Sequence, residues 1–148
     1  AAQLTAKGDF KVLIRPSDDF GNWFTASLIT TSSWLKSDDN RKATVNLLKE
    51  VLAAFRKTNS DYDWFKAQIK TFASSKELKE SDDTFLRPVW VALTQDLKVF
   101  PDSMQTLNVD EFSKLISLYR KAGALKKAID VNALIDRSYL DAALEEMN

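Results

Sequence analysis

The residues best suited to chemistry in this sequence are pairs of adjacent carboxylates. They occur at four places, Asp18-Asp19, Asp38-Asp39, Asp82-Asp83 and Glu145-Glu146. Paired carboxylates catalyse acid/base reactions when their surroundings separate their pKa values. The second and third pairs each follow a serine and precede apolar residues at helical spacing, so we predict that they cap helices. The glutamate pair is predicted to be solvated.

The first carboxylate pair differs because a predicted strand, and not a helix, follows it. It lies in a turn-forming stretch, residues 17–22, and Trp23 stands where this turn meets the strand. Turn amides and short polar side chains can bind a polar group, while a neighbouring indole supplies apolar contact. The alternative is an ordinary solvated turn. The predicted ligand-binding residues are Ser17, Asp18, Asp19, Asn22 and Trp23.

The chain contains no histidine, no cysteine and only three glycines. The imidazole general base, the thiol nucleophile and most zinc sites therefore have no residues to form them. A phosphate-binding loop needs closely spaced glycines, and these are scattered. We predict that the chain is not an enzyme and that it has no catalytic residue, no metal site and no cofactor.

Charge and hydropathy exclude two further classes of protein. The 21 basic and 21 acidic residues cancel, and the basic ones are scattered through the sequence, so the footprint of a nucleic-acid-binding protein is missing. No apolar run approaches the roughly 18 to 20 residues that a membrane-spanning helix needs. The sequence therefore favours a protein that acts outside the bilayer and away from nucleic acid.

Two runs near the start of the sequence predict the strands that would position the turn. Residues 10–15 alternate between apolar and polar types, and residues 23–31 are aromatic and β-branched, as in a buried strand. The later segments have helical spacing, beginning with the longest amphipathic stretch, residues 38–57. We predict a helix-rich α/β fold with two short strands and five or more helices, in a single domain covering residues 1–148.

The later helices carry their own signals. Trp64 and Trp90 lie on apolar stripes, so core packing is the predicted role for both. Residues 108–111 have the composition of a capping box, and Gly123 is predicted to close the helix that follows.

Five segments, in this order, resemble parts of the C-terminal half of the periplasmic solute-binding proteins of the nitrate, sulfonate, taurine and thiamine-precursor uptake group. They are LTAKGDFKVL at 4–13, FTASLI at 24–29, SWL at 33–35, YRKAGAL at 119–125 and VNALIDRSYLDAAL at 131–144. With Asp130, the last segment is similar to the closing pattern D-V-x-x-L-I-D-x-S-Y-L-x-x-A-L of that family. The order of the segments extends the resemblance over nearly the whole chain.

The resemblance implies the receptor of an ABC importer at the periplasmic or extracellular face of a bacterial membrane. Such receptors have two α/β lobes of the type II periplasmic-binding-protein fold, which close on a small solute and deliver it to a membrane permease. The chain would then form part of one lobe, and its cleft would need a preceding half of the protein. The implied solute is a sulfonate, nitrate, taurine or pyrimidine-type compound.

The alternative function is a helical scaffold or protein-interaction domain without a small-molecule ligand. A strand over residues 23–31 that lacked its sheet neighbours would also expose unpaired backbone groups, and such edges recruit other chains. Self-association of the chain is therefore a further prediction.

Overall fold

The computed structural model describes residues 28–101 and 109–147, and helices dominate this part of the chain. One 3₁₀ turn, Trp34–Lys36, precedes seven described α-helices, and a π-helical segment, Ala92–Asp96, directly continues the fourth. The α-helices are α1 (Asp38–Ser60), α2 (Tyr62–Phe72), α3 (Lys76–Glu80), α4 (Asp83–Val91), α5 (Val109–Lys121), α6 (Val131–Leu134) and α7 (Ser138–Glu146).

The predicted α/β class with two short strands is wrong for the described residues, of which 73% are helical and none belongs to a strand or sheet. Residues 28–31 of the second predicted strand are irregular, and Leu28 and Ile29 are exposed. β-branched composition favours a strand only where a neighbouring strand and an apolar surface complete it, and the described residues contain no such strand. Residues 10–15 and 23–27 of the predicted strands lie outside the described residues.

Short-range hydrogen bonds stabilise the turn between residue 31 and the 3₁₀ turn at Trp34–Lys36. The Trp34 amide donates to the Thr31 hydroxyl at 3.2 Å, and the Thr31 and Ser33 hydroxyls are 2.9 Å apart. Such bonds from hydroxyl side chains compete with strand pairing. The described residues contain no strand edge, so the edge from which self-association was predicted is absent from this part of the chain.

The long helix α1 begins where the sequence predicts and extends to Ser60 instead of Lys57. Asp38 and Asp39 lie in its first turn, where carboxylates complement the positive end of the helix dipole. Within this amphipathic helix Leu52 is buried, whereas Leu47 is exposed. The buried face of α1 therefore does not include Leu47.

The chain divides into two compact units, whose described parts are residues 50–101 and residues 28–49 with 109–147. The first has a core of Tyr62, Phe65 and Leu86, against which the half-buried Phe85, Trp90 and Leu93 pack. In the second, the buried apolar residues are Val131, Leu140, Ala143 and Leu144. Trp90 thus has the predicted packing role, while Trp64, which is also half-buried, is not among the side chains that pack against this core.

Side-chain caps set the starts of α2, α3 and α4. Asp61 accepts a hydrogen bond from the Trp64 amide, and Ser75 accepts one from the Leu78 amide. Asp82 accepts from the amides of the second and third residues after it, which satisfies donors that have no partner within α4. The capping role predicted for Asp82 is confirmed, and its neighbour Asp83 makes tertiary contacts instead.

Candidate functional site

The residues predicted to bind a ligand, Ser17, Asp18, Asp19, Asn22 and Trp23, lie outside the described residues. Their role therefore stays a prediction. The functional geometry that the structure does describe comes from two other places, a polar cluster between α2 and α4 and the segment that contains α6 and α7.

The polar cluster consists of Tyr62 and Lys66 on α2 and Asp83 and Arg87 on α4. The Tyr62 hydroxyl donates to Asp83 Oδ1 at 2.8 Å, and Lys66 Nζ lies 2.6 Å from the same oxygen. The Arg87 guanidinium carbon lies 4.0 Å from the centroid of the Tyr62 ring. The two helices present these groups together because each contributes a pair of residues four positions apart, which share one helix face.

Electrostatic interactions keep the Asp83 carboxylate charged and the Tyr62 hydroxyl neutral at neutral pH. Hydrogen bonds from Lys66 and then from Tyr62 hold the pKa of Asp83 below its usual value. Burial, followed by the hydrogen bond to the Asp83 carboxylate, raises the pKa of Tyr62 to about 12. Acid/base catalysis near neutral pH needs a group whose pKa lies near the working pH. Neither Tyr62 nor Asp83 therefore suits acid/base catalysis near neutral pH, and their hydrogen bond joins α2 to α4.

We expect the cluster to make stability fall at acid pH. The folded-state pKa of Asp83 is lower than its value of about 3.9 in an unfolded chain, so its stabilising contribution is present above that pH and is lost as the pH falls through the folded pKa. Asp83→Asn should flatten the decrease in melting temperature below about pH 4. The control is Glu50→Gln, at an exposed carboxylate in the middle of α1 with no ion pair among the described residues. Equal flattening in both variants would contradict this assignment.

The same cluster predicts a second decrease of stability at alkaline pH. The folded-state pKa of Tyr62 is raised to about 12, so its contribution is complete below about pH 10, the pKa of an unperturbed tyrosine, and is lost as the pH rises toward the folded value. Tyr62→Phe removes this titration. Its melting temperature should therefore change less than that of the wild type between about pH 10 and pH 12, which differential scanning calorimetry would measure.

The closing segment, residues 130–144, combines an aspartate cap, a second aspartate that stabilises a turn, and an apolar face. Asp130 Oδ1 accepts a hydrogen bond from the Asn132 amide at the start of α6, and Asp136 Oδ1 accepts one from the Ser138 amide at the start of α7, each at 3.0 Å. Ala143 has no exposed surface, and Leu140 and Leu144 on the same helix are buried. The two aspartates therefore stabilise the turns that precede α6 and α7, and the buried side chains anchor α7.

Glu146, one of the two final glutamates, forms an ion pair with Lys49 that was not predicted from the sequence. Glu146 Oε2 lies 2.8 Å from Lys49 Nζ, and both side chains are partly exposed. The two residues are 97 positions apart, so no local signal could have paired them. Both glutamates are exposed, as predicted, and Glu146 in addition forms this ion pair.

Among residues 28–101 and 109–147 no group of three or more histidine, cysteine, aspartate or glutamate side chains could hold a metal ion. No helix in the same ranges is long and apolar enough to cross a membrane. No protein-family model, no curated protein and no solved structure matches the chain.

Proposed function

We propose that the protein is the solute-binding component of an ABC importer, which captures a sulfonate, nitrate, taurine or pyrimidine-type solute and delivers it to a membrane permease. Its place would be the periplasmic or extracellular face of a bacterial membrane. The observation that supports the proposal is the closing segment, where the residues that resemble the solute-binding family are those on which the local structure depends.

In the closing segment, residues that match the family pattern also have identifiable structural roles. The two aspartates of the family pattern, Asp130 and Asp136, accept hydrogen bonds from the amides of Asn132 and Ser138. The valine, the second leucine, the alanine and the last leucine of that pattern are the buried positions Val131, Leu140, Ala143 and Leu144. Leu134, the first leucine of the pattern, is exposed, so the support comes from these four buried positions and from the two aspartates. The agreement therefore favours a shared local structure.

The second candidate function is a scaffold or protein-interaction domain, and exposed apolar side chains favour it. Leu28 and Ile29, which are neighbours in the chain, are 64% and 91% exposed. Large exposed apolar side chains that form a contiguous patch often mark a contact with another surface. The two candidates differ in what they bind, so a solute assay separates them.

The test is a thermal-shift screen of the complete gene product that carries this sequence. A ligand that binds only the folded state stabilises it by about 2.7 kcal/mol at 100 times its dissociation constant, which raises the melting temperature by on the order of 5 °C. The panel consists of alkanesulfonates, taurine, nitrate and hydroxymethylpyrimidine. We expect one solute class to raise the melting temperature. No shift with any of them would contradict the proposal and leave the interaction domain as the better account.

The same assay tests the predicted site. Trp23→Ala should weaken binding of the solute found in the screen by about tenfold, because burial of an indole against a ligand contributes on the order of 1.5 kcal/mol or more. The matched control is Trp34→Ala, which removes an exposed indole from the 3₁₀ turn. Calorimetric affinities that are equal in the two variants would remove Trp23 from the site.

A further inference from the structure

A local excess of positive charge follows the middle of α5. Residues 112–129 contain five lysine or arginine side chains and no aspartate or glutamate, although the whole chain has 21 of each sign. The other basic residues are scattered through the sequence, and this run is the exception. Its members are Lys114, Arg120, Lys121, Lys126 and Lys127.

Three of these cations surround one depression at the C-terminal end of α5. Its lining residues, which we call the basic surface, are Ser117, Arg120, Lys121, Leu125 and Lys126, and its volume is about 380 Å³. The three cationic side chains are exposed and have no ion pair among the described residues, and Leu125 is half-buried beside them. The depression is thus positively charged with one apolar side chain in its wall.

The helix end that brings Lys126 back beside α5 is a Schellman motif. The Ala124 amide donates to the Tyr119 carbonyl at 2.9 Å, and the Gly123 amide donates to the Arg120 carbonyl at 3.0 Å. Gly123 has a φ of 75°, a left-handed conformation that glycine adopts without the steric cost of a β-carbon. The backbone therefore fixes the position at which the loop carrying Lys126 leaves the helix.

Stabilisation of the helix does not account for this much charge. The negative end of a helix dipole corresponds to about half of one elementary charge, and its effect falls off within the last turn. Arg120 and Lys121 lie in that turn, and their two positive charges already exceed the partial negative charge of the helix end. Lys126 and Lys127 lie beyond the helix, so their charge has no equivalent role.

We propose that the basic surface docks an acidic segment of a protein partner. Arginine binds carboxylates in a bidentate geometry, and the flanking lysines add point charges for neighbouring acidic residues. Leu125 offers an apolar contact for the methylene groups of a glutamate. The neutral charge of the whole chain disfavours nucleic acid. The proposal is independent of the solute-binding function.

The test compares two triple variants that lose the same charge. Arg120→Gln/Lys121→Gln/Lys126→Gln neutralises the basic surface. Lys42→Gln/Lys70→Gln/Lys79→Gln neutralises three exposed lysines that have no ion pair among the described residues. The probe is a fluorescein-labelled oligoglutamate peptide, and fluorescence anisotropy measures its affinity. Parallel assays use phosphatidylglycerol vesicles and double-stranded DNA.

We expect the peptide to bind the wild type, with an affinity that decreases as salt increases, and we expect the first triple variant to lose about tenfold and the control less than about twofold. Equal losses in the two variants, absence of peptide binding, or binding of vesicles or DNA in preference to the peptide would overturn the proposal. Circular dichroism checks the fold of each variant. Should the triple variant lose helix, Lys126→Gln in the loop replaces it, with an expected loss of about two- to threefold.

Discussion

Replacing Trp90 with alanine should lower the free energy of unfolding by about 3–5 kcal/mol. The Trp90 ring packs against the core of the unit formed by residues 50–101, with its centroid 5.7 Å from that of Tyr62 in an edge-to-face arrangement. Its indole nitrogen also donates to the Thr58 carbonyl at 2.7 Å. That carbonyl lies in the last turn of α1, where backbone oxygens lack a partner within the helix. Urea denaturation followed by circular dichroism would measure the loss.

Two further variants separate the ring from its hydrogen bond. Trp90→Phe keeps an aromatic side chain but removes the donor, and we expect it to cost about 1 kcal/mol, the typical net contribution of one hydrogen bond. Trp34→Ala removes an exposed indole and should change the free energy of unfolding by no more than about 0.5 kcal/mol. A small loss in Trp90→Ala, comparable to that in Trp34→Ala, would show that the ring does not support the core.

Leu86→Ala should lower the free energy of unfolding by about 2–5 kcal/mol. Leu86 is 1% exposed and lies in the same core as Tyr62 and Phe65. Its truncation removes buried apolar surface and leaves a cavity that the neighbouring rings fill only in part. The loss would be measured by urea denaturation under the conditions used for Trp90.

The matched control for Leu86 is Leu97, which lies just beyond the π-helical segment in the same unit and is half exposed. Leu97→Ala should change the free energy of unfolding by no more than about 0.5 kcal/mol, because an exposed side chain leaves no cavity when it is truncated. Losses of similar size in the two variants would contradict the placement of Leu86 at the centre of the core.

The strand prediction failed because strand formation is not a local property. Residues 28–31 have a composition typical of strands, yet pairing requires a second strand, and the described residues contain none. The hydroxyl groups of Thr31 and Ser33 instead form short-range bonds that begin a turn. The predicted ligand-binding turn, residues 17–22, lies outside the described residues, so solute binding by Trp23 variants is its direct test.

The ends of helices could be predicted from the sequence, because they depend on residues within about five positions of one another. The cap by Asp82, the start of α1 at Asp38 and the end of α5 at Gly123 all follow from bonds within one helical turn. The apolar spacing around Trp90 likewise indicated a core position, because helical periodicity is itself local.

Only the tertiary structure decided which distant residues meet. Tyr62 bonds to a carboxylate 21 positions away, Trp90 to a carbonyl 32 positions away, and Lys49 to a carboxylate 97 positions away. None of these partners is marked by its neighbours in sequence, because each is selected by the packing of whole helices. The contacts that join elements therefore had to be observed, whereas the ends of individual helices could be predicted from their own residues.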